Sequence, residues 1–362
     1  MKRLLDPDSL RALARGCAVL GAGGGGDPYL GLLQALQATE DFGPVPLVDL
    51  DELPGDSLVM PCGAIGAPTV SVEKIENGDE GGRLREHLEE LTGRRVAALM
   101  AAEIGGANGL LPITWAAQIG LPVADADGMG RAFPEVPQVT MHLAGLSPSP
   151  AVMTDERGNL VIFQTVSGHW MERLERAAAV EFGGSASSTE FSMTAAQAQA
   201  RGATVRDSVS LAIRIGEAVS RAQESPVDAL IAELGAFRLI IGKVLDVERR
   251  TTSGFARGSV VIEGLGVDAG RLIRLELQNE NLVALERGHV LASVPDLITV
   301  LDSETAGAIA TERIAYGQRV TVIAFGCDPV WRTEEGLAVA GPRAFGYEFD
   351  YLPVEELAGA TA

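Results

Sequence analysis

The stretch Val96 to Gly145 constrains the fold most. An apolar run, Val96–Ala102, stops at Glu103-Ile-Gly-Gly, and a second, Leu121–Ala124, stops at Asp125-Ala-Asp127-Gly. Short apolar runs that end in acids and glycines are the pattern of strands delivering side chains to the carboxyl edge of a sheet, where ligands of open α/β folds bind. Glu103, Asp125 and Asp127 are therefore candidate catalytic acids, since carboxylates at that edge can act as general bases, hold a metal or cap turns. Arg131, just beyond, is a candidate carboxylate clamp, because guanidinium meets that planar group with two parallel hydrogen bonds.

Alternating elements surround this stretch. Asp6-Pro7 and Asp27-Pro28 each pair an N-cap aspartate with a proline in the first helical turn. Strands are predicted over 45–50, 57–61, 95–102 and 121–125, and helices over 83–91 and 110–119. The strand 57–61 is followed by a tail from Cys62 to Pro68. Runs 151–154 and 160–166 flank a hairpin turn. Gly183–Ser188 reads as a linker. Thr204 to Asp207 reads as a capping box ahead of one helix, and Ser225-Pro226 opens another. From Phe237 onward the pattern turns to strands: 237–247, 259–265, 271–277, 281–286, 297–301 and 319–325. The expected fold is an α/β N-terminal domain with a mixed sheet, residues 1–170, then a β-rich C-terminal domain with two helices, residues 171–362.

A chain of 362 residues can bury the core of two such domains. Its net charge of −20 disfavours nucleic acid or an anionic membrane as the main partner. Without a membrane span or signal-peptide core, and with only three cysteines in no CxxC spacing, the expectation is a cytoplasmic protein that binds a small molecule and forms a homo-oligomer.

The run Gly21-Ala-Gly23-Gly24-Gly25-Gly26 formally matches GxGxxG, but a predicted helix before it and a very short first strand make a nucleotide cofactor unexpected. It reads instead as a turn between helices, or as a nest of backbone N–H groups in which Gly23, Gly24, Gly25 and Gly26 hold an anionic substrate group.

Cys62 ends a strand and precedes Gly63, which suits either an activated thiol, a metal ligand or simple burial. His142 lies in the apolar run 139–143, where a histidine is a core residue, a ligand or a base. Cys62, Asp125 and His142 together would suit Zn²⁺ or another divalent metal, although their spacing is not diagnostic. The segment Gly326–Tyr351 either caps its own domain or folds back over the acids, bringing Arg343 as a second anion clamp. No serine-hydrolase elbow, HExxH, P-loop or paired CxxC occurs.

The segments GAGGGGDPYLG, MPCGAIGAPTVSVEKI, EIGGANGLLP, GLPVADADGMGRAFPE, PDLITVLDSETAGAI and GPRAFGYEFDY, taken together, resemble the S-methyl thiohydantoin desulfurase family, found beside hydantoinase-type proteins. The likeness spans nearly the whole chain, and the family's division near residue 170 matches the change in pattern. It implies hydrolysis of a five-membered cyclic ureide or its sulfur analogue, with a bound metal. Cys62, Glu103, Asp125, Asp127, Arg131 and Glu135 stand at the family's motif positions, whereas His142 and His169 lie outside them.

The expected activity is thus a hydrolase for a thiohydantoin, S-methylthiohydantoin or related hydantoin. Water would add to the ring and expel sulfur. Cys62 with Asp125 or Asp127 would hold the metal or activate the nucleophile, and Glu103 would shuttle protons. The alternative is a non-catalytic accessory subunit that docks on a hydantoinase-like partner.

Overall fold

A computed structural model describes residues 3–66, 70, 74–252 and 255–361. Ala67 and Pro68, the end of the tail predicted after the second strand, lie outside the described residues. The first ten strands form one mixed sheet: β1 (Arg3–Leu5), β2 (Val45–Val48), β3 (Leu58–Gly66), β4 (Val96–Ala101), β5 (Val123–Asp127), β6 (Ala151–Thr154), β7 (Leu160–Phe163), β8 (Ser185–Thr189), β9 (Met193–Thr194) and β10 (Val205–Arg206). Their order is β1-β2-β5-β4-β3-β8-β6-β7, with β10 on β5 and β9 on β3. The strands β2, β5, β4 and β3 run parallel, and β8, β6 and β7 continue antiparallel.

The remaining strands build a seven-stranded antiparallel sheet, ordered β15-β14-β13-β12-β11-β17-β16. They are β11 (Phe237–Thr252), β12 (Phe255–Gly264), β13 (Leu272–Gln278), β14 (Glu280–Glu286), β15 (His289–Ser293), β16 (Leu297–Asp302) and β17 (Arg319–Phe325). The architecture is the expected one, a mixed α/β sheet followed by a β-rich part with helices. Among the described residues no helix is long and apolar enough to cross a membrane.

Helix α1 (Pro7–Leu20) starts where the Asp6 carboxylate accepts the Ser9 N–H at 2.8 Å, and α2 (Pro28–Phe42) where Asp27 accepts that of Tyr29 at 3.0 Å. Each satisfies an N–H that the first helical turn leaves unpaired. Further along come α3 (Glu80–Thr92), α4 (Leu111–Ile119), α5 (Gly168–Glu181), α6 (Ser208–Arg221) and α7 (Pro226–Leu234). The buried face of α1, with Leu10, Leu13 and Cys17, meets the face of α6 that carries Ala212 and Ile213. The two backbones touch: a Cβ on Gly16 would stand 1.9 Å from the Ala212 carbonyl oxygen, and one on Gly216 1.9 Å from that of Ala12. Glycine is required at both positions for that approach.

Two expectations are corrected. Gly183–Ser188 is no linker: β8 begins at Ser185 and sits between β3 and β6 in the sheet, mostly buried. Its small polar residues have linker composition, yet they pair on both sides, with β3 and with β6. Nor do Thr204 and Asp207 form a capping box. The Thr204 hydroxyl donates to the Ala198 carbonyl at 3.0 Å, Asp207 lies in the left-handed region at φ 58°, and the cap of α6 comes from β5. A helix over 168–181 and the strand β15 were not expected, whereas α7, capped by Ser225 and stopped at Gly235, is.

The glycine run joins the two sheets. The Ala22 carbonyl accepts from both the backbone N–H and the side-chain amide of Asn281, each at 2.9 Å, and the Thr299 hydroxyl donates to Val19 at 2.9 Å. The Thr311 N–H donates to the Gly23 carbonyl at 2.8 Å. The start of β14, with Glu280 and Asn281, is thereby held against the end of α1 and beside the carboxyl edge of the first sheet.

Candidate active site

A cleft of about 180 Å³ opens at the carboxyl ends of β3 and β4. One wall is Gly63–Gly66, continuing β3. A second is Gly25-Gly26 with Asn108, and a third is Met129 with Phe133–Val136 beyond β5. Ser188, Glu190 and Phe191 after β8, Glu172 and Arg176 from α5, and Asn279-Glu280 from the second sheet complete it. An apolar cavity of ~150 Å³ takes a benzene ring, so this one suits a five-membered ring with a small substituent. Among the described residues, five that carry carboxyl groups line the cleft, Glu103, Glu135, Glu172, Glu190 and Glu280, beside one guanidinium, that of Arg176.

Glu103 follows β4 and is 7 % exposed. Its Oε1 accepts from the Asn108 side-chain amide at 2.5 Å, and its Oε2 from the Phe133 N–H at 3.2 Å. Asn108 is itself fixed, because its Oδ1 accepts the Ala64 N–H at 3.1 Å. Burial raises the Glu103 pKa to about 8 although both hydrogen bonds favour the anion, so the group is mostly a neutral acid at pH 7. Glu280 is buried as well. Burial, then the nearby Glu103, holds its carboxyl far above the usual range, and its Oε2 meets no donor.

The frame around Glu103 is built by two residues expected to do chemistry. Asp127 Oδ2 accepts the backbone N–H groups of Ile104 at 2.9 Å, Met129 at 2.9 Å and Gly130 at 2.8 Å. It pins the turn after β4 to the turn after β5, and burial raises its pKa to about 6 against the pull of those donors. Arg131 is fully buried. It donates to the carbonyls of Ala132 at 2.9 Å, Pro295 at 2.5 Å and Asp296 at 3.1 Å, and lies 4.3 Å over the Phe133 ring. Those carbonyls take Nε and Nη1, Nη2 is buried without a partner, and Arg131 does not line the cleft, so it is not placed to clamp a substrate carboxylate there. It holds the two sheets together.

The other expected residues separate. Asp125 is not in the cleft: its oxygens accept the Ser210 N–H at 2.9 Å and the Ser210 hydroxyl, which caps α6. The Cys62 thiol is buried against the Met60 carbonyl at 3.5 Å, and burial pushes its pKa well up, which opposes an activated thiolate. His142 lies on the helical turn Thr140–Leu143 with its ring 6.1 Å from that of His169, and burial lowers its pKa. Cys62, Asp125 and His142 thus do not converge, and among the described residues no group of three or more His, Cys, Asp or Glu side chains is arranged to hold a metal ion. The donor set expected for a divalent metal does not fit one.

Gly25 and Gly26 line the cleft, while Gly23 and Gly24, again with Gly26, border a second hollow beside Asp27 and Arg313. Of the segment Gly326–Tyr351, Trp331 does reach back. Its indole N–H donates to the Met129 carbonyl at 2.7 Å and its ring meets Phe133 edge-on at 4.9 Å. Arg343 instead points to solvent and pairs with Asp350 at 2.9 Å.

Glu190, Glu172, Arg176, Glu280 and Asn108 were not anticipated. Asn108 alone carried a signal, five residues after a strand-end acid within EIGGANG. The others come from a segment resembling a linker, an unexpected helix and the second sheet.

Fold and cleft define a two-domain protein with an acid-lined, ring-sized pocket at the carboxyl edge of a mixed α/β sheet, closed by an antiparallel β domain. The chain belongs to the S-Me-THD-like family: the family's N-terminal domain matches residues 8–165 and its C-terminal domain residues 166–354. A crystal structure of a protein from Chromobacterium violaceum is similar, with a TM-score of 0.79 and 26 % identity over 97 % of this chain and 100 % of that one. No curated protein matches the chain.

Proposed function

We propose that the cleft hydrolyses a thiohydantoin, S-methylthiohydantoin or related ring and releases its sulfur. The observation that carries this is Glu103, a buried carboxyl that keeps its proton near neutral pH while two fixed donors aim it into a ring-sized pocket. Family membership supports the class of ring.

The water oxygen forms a bond to the amidine-like ring carbon between the two nitrogens, and the proton it loses passes to a carboxylate on the cleft wall. The carbon–sulfur bond then breaks with its electron pair going to sulfur, and Glu103 protonates that sulfur as it leaves. An S-methyl ring plus water gives the hydantoin and methanethiol; a thione ring plus water gives the hydantoin and hydrogen sulfide, the sulfur taking its second proton from the hydroxyl that the attacking water has become. The wall carboxylate returns its proton to Glu103, and the cycle closes. Phe133 and Phe191 offer the ring an apolar face, and Arg176, rather than Arg131, is the guanidinium on the cleft wall, where its Nε and Nη2 are held by Glu172 and the Pro134 carbonyl and Nη1 remains for an acidic substituent.

The test is turnover of S-methylthiohydantoin in ¹⁸O-labelled water. Methanethiol and singly labelled hydantoin should appear in equal amounts. Thiol release without label, or a folded protein that leaves thione and S-methyl rings intact, would sink the proposal.

A further inference from the structure

The cleft wall holds a second carboxyl system that Glu103 does not explain. Glu175, on α5, and Glu190, just after β8, are 0 % and 8 % exposed, and their carboxyl groups lie near enough for each to shift the other's hold on its proton. Neither oxygen of Glu175 meets a donor from any other group, and Glu190 Oε1 meets none either. Arg176, the cation next along α5, is taken by Glu172 and by the Pro134 carbonyl at 3.2 Å. The remaining neighbours are the Ser188 hydroxyl, which favours the Glu190 anion, and the buried Cys62 thiol. Two carboxyl groups this near without a cation attract each other only through a shared proton, because two like charges at that distance cannot both ionise. Burial, and for Glu175 the Glu190 charge next, pushes both carboxyls up in the same direction.

We infer that Glu175 and Glu190 form a one-proton dyad in which Glu190, which lines the cleft, is the base that takes the proton from the attacking water. Glu175 does not line the cleft and acts as the positioning partner that holds the proton between them. This deepens the proposed hydrolysis and rests on it for the water's role. The water O–H bond breaks toward Glu190, and the same proton later returns to the Glu103 carboxylate, so no further reagent is needed. Three buried acceptors separate the pair from an ordinary acidic cluster: both oxygens of Glu175 and Oε1 of Glu190 meet no donor, and a proton held within the pair supplies one.

Two readouts test the dyad. Infrared difference spectra at neutral pH, taken on Glu175→Gln and Glu190→Gln against the wild type, should each lose one protonated-carboxyl carbonyl band. Unchanged spectra in either folded variant would overturn the shared proton, whether or not any ring is turned over. On a ring that the wild type hydrolyses, Glu190→Gln should lower kcat at least ~100-fold with KM within a few-fold, and Glu175→Gln should shift the acid limb of the pH profile. Glu190→Gln turnover within a few-fold of wild type would overturn the base. A wild type inert to every ring would instead remove the proposed hydrolysis, and Glu190's role with it, while the spectra still decide the shared proton.

Discussion

Asp125 on β5 accepts both the backbone N–H of Ser210, at 2.9 Å, and the Ser210 hydroxyl, and so caps α6 from a different element. This acid is a tertiary cap. Asp125→Ala should cost about 1 kcal/mol of stability, the usual loss for a removed N-cap, and leave turnover within a few-fold of wild type. Urea unfolding beside a thiol-release assay checks it; normal stability with lost turnover would return Asp125 to the chemistry.

Glu103 makes stability depend on pH in a definite direction. Its pKa is about 8 in the folded protein against 4.5 for an unperturbed glutamate, so the folded state binds the proton more tightly. Stability is therefore greatest below pH 4.5 on this account and is lost as pH rises toward 8. Glu103→Gln removes that dependence. The variant's stability relative to wild type should rise by up to about 1.4 kcal/mol per pH unit across this window. Parallel unfolding curves at all pH values would contradict the burial of a titrating acid.

Gly24 lets Glu280 approach the glycine run, since a Cβ there would stand 2.1 Å from Glu280 Oε1. Gly24→Ala must push the buried carboxyl aside or part the two sheets. A loss of about 1–3 kcal/mol is expected, typical of overpacking, together with weaker binding of any ring in the cleft. Calorimetric titration with hydantoin reads the second effect.

Two residues of the C-terminal segment should behave oppositely. Trp331→Phe strands the Met129 carbonyl and loosens Phe133, and should cost about 1–3 kcal/mol. Arg343→Ala removes an exposed ion pair, worth less than about 1 kcal/mol, and should leave turnover unchanged. Thermal unfolding of the two variants side by side distinguishes them.

Both domains, the parallel strands and Glu103 were readable because apolar runs that end at an acid encode local geometry. What decides the role of each acid is not local. Asp125 and Asp127 share Glu103's pattern, yet the N–H groups that claim them come from Ser210 and from the neighbouring turn. Arg131 looks like a free fork until the carbonyls of Pro295 and Asp296 arrive from the other sheet. Glu190 and Glu280 reach the cleft by the same long-range packing, one behind a strand that mimics a linker and the other at the start of β14.

The most direct measurement is kcat/KM against pH for the wild type and Glu103→Gln, on a thiohydantoin that the wild type desulfurises. A proton-donating Glu103 predicts a wild-type rate that falls as pH rises through about 8, and a variant slower by roughly 10²–10⁴-fold without that limb. A Glu103→Gln enzyme that keeps wild-type rates and the same alkaline limb would contradict the account.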